Sequence, residues 1–262
     1  MITLTNDGLI ALAGCLGVQT LPLVLSIGPQ QNSYHDWERA QHDARTDLRA
    51  QRIVDDHGDV DGDTATALFT LAQPNRELAM RVQTDAGPVR VCVARRAENH
   101  AVAVRHGDLI DIHPVWSDGS GESLARPLLD VLGYCPPVDL AAFSAESTDV
   151  AERFDAATTS EDYASTVYHL GVSDSDATGY GLALSSIHAY AEIVAYAYAD
   201  GVTDRSSGAV AVYDTARGRL VAAPGVAPDQ QLWSTLTPGS DHRIAQSITA
   251  LIELLPGGRW LS

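Results

Sequence analysis

The chain contains no lysine. All seventeen basic residues are arginine, set against 34 acidic residues, for a formal charge of −17 across 262 positions. Exclusive arginine use reads as the codon bias of a GC-rich genome. The acidity repels phosphate backbones and anionic bilayers, which disfavours nucleic-acid and membrane binding; a halophilic surface would carry the same charge. Cysteine is also scarce. Cys15, Cys92 and Cys135 are odd in number and far apart, with no CxxC spacing. Buried, reduced thiols are therefore expected, without disulfide or metal roles.

Long apolar runs are missing as well. The N-terminal stretch 9–27 is broken by Gly14, Gly17, Gln19 and Pro22 and has no basic segment before it. It reads as neither signal peptide nor membrane span, so a cytoplasmic protein is expected. No GxSxG, GxGxxG, P-loop or HExxH occurs. The carboxylate-rich loop 55–63 lacks the sixth-place Gly and terminal Glu of an EF-hand and reads as a solvated loop. No catalytic, cofactor-binding or metal-binding residue can be named, and no cofactor is expected.

What is present is pattern. The clearest stretch is 189–260. Tyr190, Tyr196 and Tyr198 alternate with alanine along a strand over 189–198, a polar break follows at 200–208, and strands over 209–213, 219–223 and 231–237 complete a meander. Ser240 reads as the N-cap of a helix carrying Ile244, Ile248, Leu251, Ile252 and Leu255 on one stripe, stopped by Pro256-Gly257-Gly258.

The first half reads alike. A strand over 2–5 leads to a helix capped by Asn6, a buried strand or extended segment over 21–27 and a polar helix over 35–52. A short helix capped by Asp63 or Thr64 follows. Strands over 77–83, 89–95, 100–105 and 109–115 form the first meander. A helix over Leu124, Leu128 and Leu132 then has Pro127 in its first turn. Residues 134–137 form the junction, and helices over 149–157, 161–170 and 174–184 follow it. The expected fold is α/β (α+β): one domain, 1–262, built as pseudo-symmetric halves 1–135 and 136–262 that share a central antiparallel β-sheet flanked by helices.

The three tyrosines on one strand face, with Trp233 nearby and the Arg205-bearing loop at the border, have the composition of a protein-recognition surface. For any single one of them, ordinary sheet packing is the stronger account. A self-associating structural subunit and a hydrolytic enzyme stay open as alternatives on these residues alone.

Six segments, in order, carry a resemblance: TNDGLIALAGCLGVQTLPLVLSI (5–27), VRVCVARR (89–96), YAEIV (190–194), GRLVAAP (218–224), TPGS (237–240) and LLPGGRWL (254–261). Together they resemble the EspG family of ESX (type VII) secretion-associated proteins of mycobacteria and related actinobacteria. The resemblance implies a non-enzymatic, cytosolic chaperone that binds PE–PPE heterodimers at the tip of PPE. Such a chaperone keeps the pair soluble for the ESX secretion machinery; for this chain a monomer or weak dimer is expected. It further implies that contacts come from the sheet and from loops 84–88 and 200–208. Arg205 matches a place where a relative carries a basic residue facing a PPE acid. The partner-binding residues so expected are Asp85, Gly87, Arg90, Tyr196, Tyr198, Asp200, Arg205, Val212 and Trp233.

Overall fold

A computed structural model describes residues 1–227 and 230–261. Among them are eight α-helices and eleven strands. The strands are β1 (Ile2–Thr5), β2 (Arg76–Thr84), β3 (Gly87–Arg96), β4 (Asn99–His106), β5 (Leu109–Val115), β6 (Phe143–Glu146), β7 (Ile187–Ala199), β8 (Val202–Arg205), β9 (Val210–Thr215), β10 (Gly218–Val226) and β11 (Leu232–Pro238). The helices are α1 (Asn6–Cys15), α2 (Tyr34–Ala50), α3 (Gly62–Ala72), α4 (Gly121–Leu132), α5 (Ser147–Ala156), α6 (Ser160–His169), α7 (Asp174–Leu184) and α8 (Asp241–Glu253). The fold is α+β with an antiparallel sheet in the order β1-β5-β4-β3-β2-β7-β9-β10-β11-β6, and β8 pairs with β7.

The chain divides into two compact units. Unit 1 is Met1–Arg81, Pro88–Ser117 and Tyr196–Thr203; unit 2 is Val82–Gly87, Asp118–Ala195 and Asp204–Ser262.

In unit 1, α1 packs on α2, and α3 lies on β4 and β5. Leu9, Leu12, Leu48, Leu68 and Leu71 are buried between helices and strands, each worth about 1.5–3 kcal/mol of apolar burial. Thr5, not Asn6, caps α1 by accepting from the Gly8 N–H at 3.0 Å. Asn6 is instead buried and donates to the Gly28 carbonyl at 2.9 Å. Segment 21–27 is not extended: Leu23–Leu25 form a 3-10 turn. Its carbonyls are held from below, with Arg90 Nη1 donating to Val24 O at 3.1 Å and Arg105 Nη1 to Leu25 O at 2.7 Å. Asp61 caps α3, ahead of the expected Asp63 or Thr64, because its carboxylate reaches both the N–H and the hydroxyl of Thr64.

In unit 2, Val138, Val150, Val167, Tyr180, Leu184, Leu220 and Leu236 form one buried cluster from α5–α7 and the strands. On the other side α8 packs on α4, β9 and β10. Ser240 caps α8 as expected. Helix α4 starts at Gly121 under a Ser120 cap, so Pro127 is its seventh residue and not in the first turn. The short edge strand β6 falls where no strand is expected; it is four residues long and pairs with β11.

Arg219 is the hub of this unit. It is 0% exposed and donates to both carboxylate oxygens of Asp214, at 2.5 and 2.8 Å, and to Gly133 O at 3.0 Å. Its backbone N–H reaches Pro136 O, and its carbonyl accepts from Val138 and Gly239. Gly218 and Gly239 allow this crowding. A Cβ on Gly218, which also has φ +118°, would stand 2.7 Å from Pro136 O, and one on Gly239 would collide with Arg219 Cγ.

Candidate partner-binding site

Alternation along β7 sends Ala191, Ile193, Ala195 and Ala197 into full burial and turns Tyr190, Tyr196 and Tyr198 to the opposite face. In unit 1, Tyr196 and Tyr198 stack with ring centroids 6.3 Å apart. The Tyr198 hydroxyl donates to Glu77 Oε2 at 2.7 Å, so it is already committed within the chain. Glu77 is 3% exposed. Burial raises its pKa, and hydrogen bonds from Tyr198 and Cys92 partly offset that rise. Burial beside this acid likewise pushes the Tyr198 phenol and Cys92 thiol up. Sequence reading missed Glu77; the signal was one acid beside the apolar run LAM of β2. Asp200 and Gly201 form the two-residue turn after β7, both with positive φ (51° and 78°), as a type I′ hairpin requires. Asp200 is exposed. The expected loop 200–208 is therefore partly strand, β8. Arg90 is not a free surface cation, because the 3-10 turn consumes it.

In unit 2, Asp85 and Ala86 form an exposed turn, and Gly87 opens β3 with φ 115°. This turn borders a cleft of about 720 Å³ whose lining includes Tyr134, Cys135, His188 and Arg217. Burial and the neighbouring Asp214 push the Cys135 thiol up, which makes it a poor nucleophile. Arg205 has a 56% exposed side chain and lies 3.7 Å from Glu192, a weak, open ion pair.

Two expectations need correction here. Register places Val212 beside Ala191 and Val221, on the face opposite Tyr190. Val212 is 1% exposed and offers no surface to a partner. Trp233, opposite Gly225, lies on that same second face and is 38% exposed. It does not extend the tyrosine row. Nor is the Tyr190 face bare sheet. Tyr190 rests on Tyr213 at 5.2 Å, and Tyr213 packs on the α5–α7 cluster. The apolar sides of these helices need cover, and this face supplies it.

Among the described residues, no group of three His, Cys, Asp or Glu is placed to hold a metal, and no helix is long and apolar enough to cross a membrane. Against known proteins, the EspG family model matches residues 5–250. The chain belongs to the EspG family. Similar proteins include the ESX-1 secretion-associated protein EspG1 of Mycobacterium tuberculosis (strain ATCC 25618 / H37Rv), 31% identical over 279 residues, covering 99% of this chain and 89% of the relative. The ESX-3 secretion-associated protein EspG3 of Mycolicibacterium smegmatis (strain ATCC 700084 / mc(2)155) is 28% identical over 260 residues, covering 99% and 88%. The fold matches that of the M. tuberculosis type VII secretion system chaperone EspG5, solved in complex with the PE25-PPE41 dimer. The TM-score is 0.83 at 20% identity, covering 99% of this chain and 98% of EspG5.

Three of the segments that carry the EspG resemblance hold structural positions in unit 2. GRLVAAP holds Gly218 and Arg219, TPGS holds Gly239 and the α8 cap, and YAEIV is the centre of β7. They supply scaffold positions, and of the expected contacts Asp85, Gly87, Tyr196, Tyr198, Asp200, Arg205, Val212 and Trp233 lie outside all six segments.

Proposed function

We propose that this EspG-family chain is a cytosolic, non-enzymatic chaperone that binds a PE–PPE heterodimer through PPE and keeps it soluble for a type VII (ESX) secretion system. One observation carries the reading: the whole chain has the fold of EspG5, a chaperone whose structure was solved holding PE25-PPE41. Its physics is that of a cap. An exposed apolar end on a helical bundle is an aggregation hazard, and a partner carrying a charge of −17 keeps the covered complex in solution. We further propose a pseudo-repeat of halves 1–135 and 136–262, supported by the recurring element order of a strand, three helices, a meander and a closing helix.

The proposed contacts are the exposed Asp85, Asp200 and Arg205, the half-buried Gly87 at the β2–β3 turn, the half-buried rings of Tyr196 and Tyr198, and the exposed edge of Trp233. Arg205 is the test case because it is open and only loosely paired with Glu192. Reversing a rim charge is expected to weaken binding about tenfold. The experiment is co-expression of wild-type and Arg205→Glu chains with a PE–PPE pair of the same organism, followed by affinity pull-down. Recovery of PE–PPE by the wild type and a clear loss with Arg205→Glu supports the reading. If neither recovers PE–PPE above an untagged control, the function is wrong; equal recovery by both removes Arg205 from the interface.

A further inference from the structure

Glu77 is a buried carboxylate that the packing of unit 1 does not call for. It is 3% exposed, and the residues that follow it on β2, Leu78, Ala79 and Met80, are buried too. Taking a carboxylate out of water is costly unless an opposite charge or hydrogen bonds compensate. Among the described residues no arginine or histidine pairs with Glu77; its partners are the Tyr198 hydroxyl at 2.7 Å and the Cys92 thiol. Even buried carboxylates that do have a cationic partner are often replaced, pair and all, by apolar side chains without loss of stability. Stability does not account for this acid.

What the acid holds is a ring. Tyr198 is tied at two points: its backbone N–H donates to Asn75 O at 3.0 Å, and its hydroxyl donates to Glu77 Oε2. Asn75 is itself fixed, its N–H donating to Arg95 O at 2.7 Å and its Oδ1 accepting from the Ala97 N–H at 2.9 Å. The backbone bond alone leaves the side chain free to change rotamer. The bond at the far end of the ring removes that freedom, because χ1 and χ2 must both stay in one well for the hydroxyl to reach the carboxylate. The Tyr196 hydroxyl makes no hydrogen bond among the described residues. Its ring stacks on Tyr198 instead, with centroids 6.3 Å apart and planes inclined at 27°. Pinning one ring therefore sets both.

We infer, resting on the reading that Tyr196 and Tyr198 meet the PE–PPE pair, that Glu77 is a positioning residue for that contact: buried and out of a partner's reach, it preorganises the tyrosine pair through the Tyr198 hydroxyl. A ring already immobilised in the free chain loses no rotamer freedom when the partner arrives, so more of the contact appears as affinity. Glu77 thus acts on binding while lowering the stability of the fold that carries it.

The test measures binding of a purified PE–PPE pair of the same organism to the immobilised full chain, with urea unfolding of each variant alongside. Glu77→Met keeps an unbranched side chain and removes the carboxylate. It is expected to unfold at or above the wild-type urea midpoint and yet to bind about three- to tenfold more weakly, the cost of ordering one freed side chain. Glu77→Gln keeps an acceptor and is expected to restore wild-type affinity. Tyr198→Phe should show the same loss as Glu77→Met, and the double variant no more than either single one. Wild-type affinity in Glu77→Met, no rescue by Glu77→Gln, or affinity and stability falling together would overturn the inference. A second measurement needs no partner: the ring signal of Tyr198 in NMR spectra of the free, tyrosine-labelled chain, assigned by its loss in Tyr198→Phe. That signal should hold its place in Glu77→Gln and move toward that of a solvent-exposed tyrosine in Glu77→Met. A wild type that does not bind PE–PPE overturns the partner reading on which the inference rests; a Tyr198 signal unmoved in Glu77→Met overturns the inference by itself.

Discussion

Replacing Arg219 by Met tests how the second unit is held together. The guanidinium is fully buried, gives two hydrogen bonds to a carboxylate that is itself 6% exposed, and satisfies the Gly133 carbonyl. Methionine keeps much of the length of the side chain and removes the charge. The result is a lone buried carboxylate at Asp214, and breaking one side of such a pair costs about 3–5 kcal/mol. At this chain length that lowers the melting temperature by about 10–15 °C. Calorimetry and urea unfolding followed by near-UV circular dichroism read the loss. The control is Arg219→Met/Asp214→Leu. With no charge left to desolvate, it is expected to regain all but about 1–2 kcal/mol, the remainder being carbonyls left without a donor. A single variant that costs less than about 1 kcal/mol would refute the reasoning, as would a double variant no more stable than the single one.

Glu77 carries a pH prediction. Its folded pKa lies above its unfolded value because of burial, so the native state binds more protons than the unfolded one. Its contribution is therefore fully present below the unfolded pKa and declines as pH rises through the raised folded value. Glu77→Gln, which keeps an acceptor for Tyr198, should gain stability relative to wild type between pH 4 and pH 8 in urea titrations; a constant difference would contradict this. Leu251, 0% exposed on the buried side of α8, should not tolerate Asp, and soluble, cooperatively melting Leu251→Asp protein would disprove the packing. Ser240→Ala removes the α8 cap and should cost about 1 kcal/mol by urea midpoint; no change would mean the cap contributes nothing.

Periodicity made most of the fold legible. The i, i+4, i+7 stripe of α8 is a direct record of which side is buried, whereas β3 is buried on both faces, Val91 and Val93 on one and Cys92 and Ala94 on the other. What stayed hidden depends on contacts distant in sequence. Pro127 sits inside α4 because Ser120 caps the helix early, and the 3-10 turn is held by Arg90 and Arg105, which reach its carbonyls from far along the chain. The site was less legible for the same reason. Alternation correctly put Tyr190, Tyr196 and Tyr198 on one face. It could not show that α5–α7 cover part of that face, nor that the β9–β10–β11 register turns Val212 and Trp233 the other way.

The most direct test is the absolute mass of the purified assembly by light scattering, after expressing a PE–PPE pair with and without this chain. The account predicts that the pair stays soluble only when the chain is present, and that all three polypeptides elute as one species with a single copy of each. A PE–PPE pair equally soluble alone, with this chain eluting separately from it, would contradict the account.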